Sequence, residues 1–132
     1  MMALGILVIR IVVGLLFVGH GAQKLFGWFG GHGIKGTAGW MESIGMKPGV
    51  AMAVLGGLME LIGGVLLAAG LFTPVAAVLI VLTMLGAIAK VHGKNGIWAT
   101  ANGYEYPLVL IAVVIGIALT GAGDYSLDAL IK

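Results

Sequence analysis

Gly56–Gly70 reads GGLMELIGGVLLAAG, a run in which one carboxylate, Glu60, stands among glycines and large apolar side chains. The run belongs to a longer apolar span, Val50–Phe72, in which Glu60 is the one charged residue. A helix needs roughly 17–25 residues to cross the hydrocarbon core of a bilayer, and this span qualifies. Three more apolar spans, Ala3–Gly19, Val75–Ala89 and Pro107–Gly121, flank it. The chain of 132 residues is 61% hydrophobic and 9% charged, whereas charged residues make up about a quarter of a soluble domain. The reading is an all-α integral membrane protein, a four-helix transmembrane bundle forming one domain over residues 1–132. Its spans are expected near 3–20, 49–71, 74–91 and 105–121, with a loop or interfacial segment over 24–47.

Several alternatives fall away. Met1-Met2 supplies no basic region, Arg10 interrupts the first span and no Ala-x-Ala pattern follows it, so a cleaved secretory signal is not expected. The few lysines are scattered over loops rather than gathered on a basic face, which argues against nucleic acid as a partner. Cysteine is absent, so the chain carries no thiol chemistry of its own.

The prolines mark helix starts. Pro48 precedes the second span, Thr73-Pro74 opens the third with Thr73 as the expected N-cap, and Pro107 lies in the first turn of the fourth. Gly70 followed so soon by Pro74 makes spans two and three antiparallel neighbours. In the glycine-rich connection Lys24–Lys47, Thr37–Ile44 could form a short helix on the membrane with Trp40 and Ile44 facing lipid, or the segment could be re-entrant. Four spans put both termini on one side. Lys24, Lys35, Lys47, Lys90 and Lys94 lie on the other and only Lys132 on the terminal side, so the positive-inside rule predicts extracytoplasmic termini.

Polar residues form a stripe. On span one, Arg10, Gly14, Phe17, His20 or Gly21, and Lys24 recur at steps of three and four; on span two, Glu60 shares a face with Gly56 and Gly63 or Gly64. Arg10 and Glu60 each sit mid-span, and an unpaired charge at that depth costs roughly 2.5–3.5 kcal/mol on insertion scales, so an Arg10–Glu60 ion pair is expected. Such a pair could merely fix helix register, or it could floor a binding site. At the loop end, His20, Gln23 and Lys24 leave span one at the level where Lys90 and His92 leave span three and Asn102 and Glu105 enter span four. Singly, each has a plain reading as a helix-end charge or cap. Together they converge on one mouth above the mid-membrane pair.

The run Arg10…Gly14…Phe17…His20-Gly21-x-Gln23-Lys24-Leu25-Phe26-Gly27 resembles the first helix of the DoxX family. Glu60-x-x-Gly63-Gly64, Gly70-Leu71-x-Thr73-Pro74, His92-Gly93, Asn102…Glu105 and the closing Gly121-x-Gly123-x-Tyr125-Ser126-Leu127-Asp128 extend the resemblance over nearly the whole chain. It implies a four-helix protein of the bacterial inner membrane, linked to quinone and thiol-stress redox systems. On that reading the chain is a membrane subunit that binds a quinone-like molecule and works with a soluble or membrane redox partner. His20 and His92 would supply hydrogen bonds or protons, Glu60 and Glu105 would exchange protons, and Arg10 and Lys24 would stabilise negative charge. The alternative is a non-catalytic small-molecule carrier, or an anchor for a soluble enzyme. Haem between His20 and His92 is the weakest reading, because no haem signature flanks them, and no metal site is expected. A homo-oligomer is left open.

Overall fold

The computed structural model describes residues 1–131; Lys132, counted above on the terminal side, lies outside them. The helices are α1 (Met2–Phe26), α2 (Gly33–Ser43), α3 (Gly49–Ala69), α4 (Thr73–Ala87), α5 (Glu105–Thr120) and the short α6 (Leu127–Leu130), with no strand among the described residues. A π-helical turn, Ile88–His92, and a 3-10 turn, Gly93–Asn95, prolong α4. Three helical stretches, Met2–Phe26, Gly49–Ala69 and Thr73–Asn95, are long and apolar enough to cross a membrane, and α5 is a shorter apolar helix of 16 residues. Their outward faces carry half-exposed Leu4, Val8, Val12 and Leu15 on α1 and Leu58, Ile62 and Val65 on α3. Water would penalise that surface and hydrocarbon accepts it.

Glycine sets the tightest packing. A Cβ added at Gly14 would fall 2.7 Å from backbone atoms of Gly64 and Ala68, and one at Gly21 would fall 2.7 Å from Leu61. The backbones of α1 and α3 therefore touch in antiparallel register, which small residues permit where lipid supplies no hydrophobic drive for helix association. Around this seam Phe17, Leu67, Ala76, Ile80, Val114 and Ile117 form the buried core.

The turn between α3 and α4 is short for a definite reason. Gly70 adopts φ 66, and Leu71 N–H donates to the Leu66 carbonyl, which closes α3. Thr73 does not cap α4 with its side chain as expected. Phe72 and Thr73 N–H groups donate instead to the two carboxylate oxygens of Asp128 at 2.7 and 3.1 Å, and the Thr73 hydroxyl donates to Asp128 Oδ2 at 2.6 Å. The cap comes from the far end of the chain, where spacing rules cannot see it.

Two boundaries differ from the sequence reading. α1 continues to Phe26 rather than ending near residue 20, so His20, Gln23 and Lys24 are still helical. The short interfacial helix begins at Gly33 and is docked on the bundle, with Thr37, Ala38 and Met41 buried and Ala38 and Met41 packed beside Ala53 of α3. Trp40 and Ile44 line a cavity rather than simply facing lipid.

Candidate functional site

The predicted Arg10–Glu60 pair does not form. Arg10 is 1% exposed and spends its donors on carbonyls: Nε on Leu67 at 3.1 Å, Nη2 on Ala68 at 3.0 Å, and Nη1 on Ala122 at 2.8 Å and Tyr125 at 3.0 Å. Leu67 and Ala68 belong to the last turn of α3, whose carbonyls have no partner within the helix. Arg10 thus ties the end of α3 to the segment after α5, at the terminal end of the bundle.

Glu60 is paired with Lys24, Nζ to Oε1. The Glu60 side chain is 3% exposed and that of Lys24 27%. The error in the prediction was one of depth. The apolar run stops at Gly19, which makes Arg10 look central, but α1 runs on through Lys24 because Glu60 neutralises that lysine. Positions 10 and 24 lie about 21 Å apart along the helix at about 1.5 Å per residue, so one carboxylate cannot serve both.

The Lys24–Glu60 pair borders a cavity of about 780 Å³ at the loop end, between α1, α3 and α4 and under α2. That volume suits a small organic ligand. Phe17, His20, Lys24, Glu60, Thr83 and His92 contribute to its wall. The rest is apolar and rich in sulfur: Met41, Met46, Met52, Met59 and Met84 line it, every methionine in the chain beyond Met1 and Met2. Methionine is unbranched and polarisable, so such a wall adapts to the shape of an apolar guest.

Hydrogen bonds set the two histidines. Gln23 Nε2 donates to the Phe29 carbonyl at 3.2 Å, which turns its Oε1 toward His20 Nδ1, also at 3.2 Å. An amide oxygen only accepts, so His20 Nδ1 carries a hydrogen and Nε2 is the free acceptor in the neutral ring. His92 Nδ1 donates to the Asn102 carbonyl at 2.9 Å, with the same result. Each ring can therefore take up or release a proton at Nε2.

Of the residues singled out from sequence, His20, Lys24, Glu60 and His92 meet at the cavity, and Gln23 orients His20. Lys90 is exposed on the π-helical turn. Asn102 offers its carbonyl to His92 and Asn95 from a left-handed conformation, φ 59. Glu105 accepts from Ala99 N–H at 2.9 Å and braces the loop before α5. Asn102 and Glu105 support the mouth, and none of the three lines the cavity. Arg10 lies at the opposite end. Sequence reasoning missed the methionines and Trp40, although the density of methionine between Met41 and Met59 was a visible signal. Among the described residues, no group of three or more His, Cys, Asp or Glu side chains could hold a metal ion.

Comparison with known proteins follows the same lines. A Bacillus subtilis protein named "Putative oxidoreductase CatD" is 34% identical over 125 residues, covering 95% of this chain and 85% of that protein. A Mycobacterium tuberculosis protein named an uncharacterized membrane protein, Rv3486, is 31% identical over 133 residues, covering 93% and 78%. An uncharacterized Haemophilus influenzae protein is 31% identical over 91% of this chain and 85% of its own length. No solved structure matches. The DoxX family model matches residues 5–93, which hold the glycine seam, the Lys24–Glu60 pair and both cavity histidines. The chain belongs to the DoxX family.

Proposed function

We propose that this protein is the membrane subunit of a redox system and holds a quinone-like molecule in the methionine-lined cavity. The observation that carries the reading is the Lys24–Glu60 pair, a buried charge pair placed where a ligand can reach it rather than sealed in the core. Ionisable groups within a membrane are rare and costly, and those that pair beside a cavity mark substrate or proton pathways. The oxidoreductase name borne by the Bacillus subtilis relative points the same way.

The cavity residues fit such a molecule. The methionines accept a flat apolar ring, while Lys24 can present a donor to a carbonyl oxygen, and His20 and His92 can do so at Nε2 in the protonated ring. A bound quinone would supply the two-electron acceptor, and electrons would come from a partner protein. Lys24 stabilises negative charge on a ring oxygen. Glu60 holds Lys24 in place and exchanges a proton with it, and the histidines hold or release protons at Nε2. Arg10, Lys90, Asn102 and Glu105 are assigned no contact with the ligand. The four long helices are read as one domain, because Val114 and Ile117 of α5, beyond the matched residues, complete the core. The lysine count, without the paired Lys24, supports a cytoplasmic loop end and cavity.

The test is direct. The protein is purified in mild detergent and its bound small molecules are identified by mass, for the wild type and for Glu60→Gln. A quinone that accompanies the wild type and is depleted in the variant supports the reading. A protein that carries no such molecule but retains a soluble enzyme overturns it in favour of an anchoring role.

A further inference from the structure

Leu55 of α3 and Leu82 of α4 both line the cavity, yet each is 52% exposed. Leu55 continues the outward stripe of Leu58, Ile62 and Val65, and Leu82 continues that of Val75, Val78 and Leu85. Residues three, four and seven apart share a helix face, so these stripes face the hydrocarbon. The cavity therefore breaks through the lipid-facing surface between α3 and α4.

The packing explains the gap. The two helices are joined by the tight turn at Gly70 and meet closely at Gly63, where an added Cβ would lie 3.2 Å from Ile80 and 3.3 Å from Leu79. Toward the loop end they part. Gly56 on one wall and Gly86 on the other leave the space empty: an added Cβ would meet nothing within 4 Å at Gly86 and only the Met41 methyl at 3.6 Å at Gly56. At the loop end α2 covers the cavity with Trp40 and Ile44. The lateral route is open and the axial one is roofed.

We infer that the cavity fills sideways from the bilayer, and that its occupant is a single-tailed amphiphile. Its ring-bearing head lies against Lys24 and Glu60, and its apolar tail leaves between Leu55 and Leu82 into the lipid. This inference rests on the ligand-binding reading above and adds the route and the shape of the ligand.

The chain suits a clean test, since it has no cysteine and only three tryptophans. Trp28→Phe with Trp98→Phe leaves Trp40, on the cavity wall, as the sole tryptophan, excited selectively over the tyrosines. Single cysteines are introduced on this background at Leu55, Leu82 or, as a control on the same outward stripe of α4 but off the cavity, Val78. Each is labelled with a bulky maleimide and reconstituted in phosphatidylcholine vesicles. The probe is a decyl-substituted benzoquinone, whose quenching of Trp40 is followed in time and against concentration. Saturable quenching is expected, slowed about tenfold or more by the label at position 55 or 82, which corresponds to an added barrier of about 1.4 kcal/mol. The label at position 78 should leave the rate unchanged. Saturable quenching with equal rates in all three overturns the portal while the cavity reading stands. Quenching that rises linearly without saturation, as for collisions in the bilayer, overturns both.

Discussion

Glu60 and Arg10 are both buried charges, and they are satisfied in opposite ways. Glu60 has one charged partner, so removing Lys24 strands a carboxylate that is 3% exposed. In soluble proteins, breaking a buried pair costs roughly 3–5 kcal/mol while replacing both partners by apolar groups is often neutral. Lys24→Met should therefore destabilise the protein strongly, and Lys24→Met with Glu60→Leu should recover most of that loss without recovering ligand binding. Denaturation in detergent and ligand retention, measured on the same samples, check both halves. Arg10 has four carbonyl partners and, among the described residues, no carboxylate within ion-pair distance. Arg10→Leu strips the Ala68, Ala122 and Tyr125 carbonyls of this donor at about 1–3 kcal/mol for each group left unsatisfied, while Leu67 keeps the Gly70 N–H, and Arg10→Lys should rescue little because an ammonium cannot reproduce the planar fork. Since Arg10 and Glu60 share no partner, their substitutions should be additive in stability. A coupling beyond about 0.5 kcal/mol in a double-mutant cycle would refute the assignment of partners made here.

At the level of helices, the α1–α3 seam and the α4 cap make separate expectations. Gly14→Ala and Gly64→Ala push a methyl into backbone 2.6–2.7 Å away and should force α1 off α3, with loss of folded protein. Gly5→Ala and Gly19→Ala meet nothing within 4 Å and should be neutral or stabilising by up to about 1 kcal/mol, the usual gain of alanine over glycine in a helix. Thermal melts of the four variants test the contrast. The cap depends on pH. Burial by itself would raise the Asp128 carboxyl, but hydrogen bonds from Thr73 and Phe72 and the nearby Arg10 charge outweigh it and hold the group below its ordinary value. A lowered folded value means that the stabilisation is full above the ordinary aspartate range of about 3.9 and is lost as pH falls through the folded value. Melting temperature should decline on that acid limb, and Asp128→Asn should flatten the decline.

Much of this architecture is legible in the chain because bilayer physics is severe. Long apolar runs have few alternatives to spanning, and Pro48 and Pro74 open the helices they were expected to open. What was hidden is register between helices. Composition places Arg10 mid-span, yet the fold places it beside the end of α3. That position depends on how far α1 runs past its apolar stretch, and so on the Lys24–Glu60 pair itself. The cavity was hidden for another reason: Met52 or Met84 lining a void looks the same in sequence as either one filling a core.

On the scale of the whole molecule, the two ends of the bundle are held differently. The terminal end is fixed by Arg10 and Asp128 across segments remote in sequence, while the loop end has a roof, a cavity and a lateral gap. The positive-inside rule applied to Lys35, Lys47, Lys90 and Lys94 predicts extracytoplasmic termini, so a reporter fused after Lys132 should be active only outside the cytoplasm. Activity on the cytoplasmic side would turn the cavity outward and reverse the side from which protons enter. The Arg10 knot also has a history written into it. When α1 leaves the ribosome, none of its carbonyl partners has been made; Tyr125 follows 115 residues later. At roughly 5–20 residues per second the interval is about 6–23 s. For that time the guanidinium must be held by water, lipid headgroups or the insertion machinery. α1 is thus a provisional passenger until the last helix is translated, and a nascent chain halted before residue 122 should be pulled back or degraded.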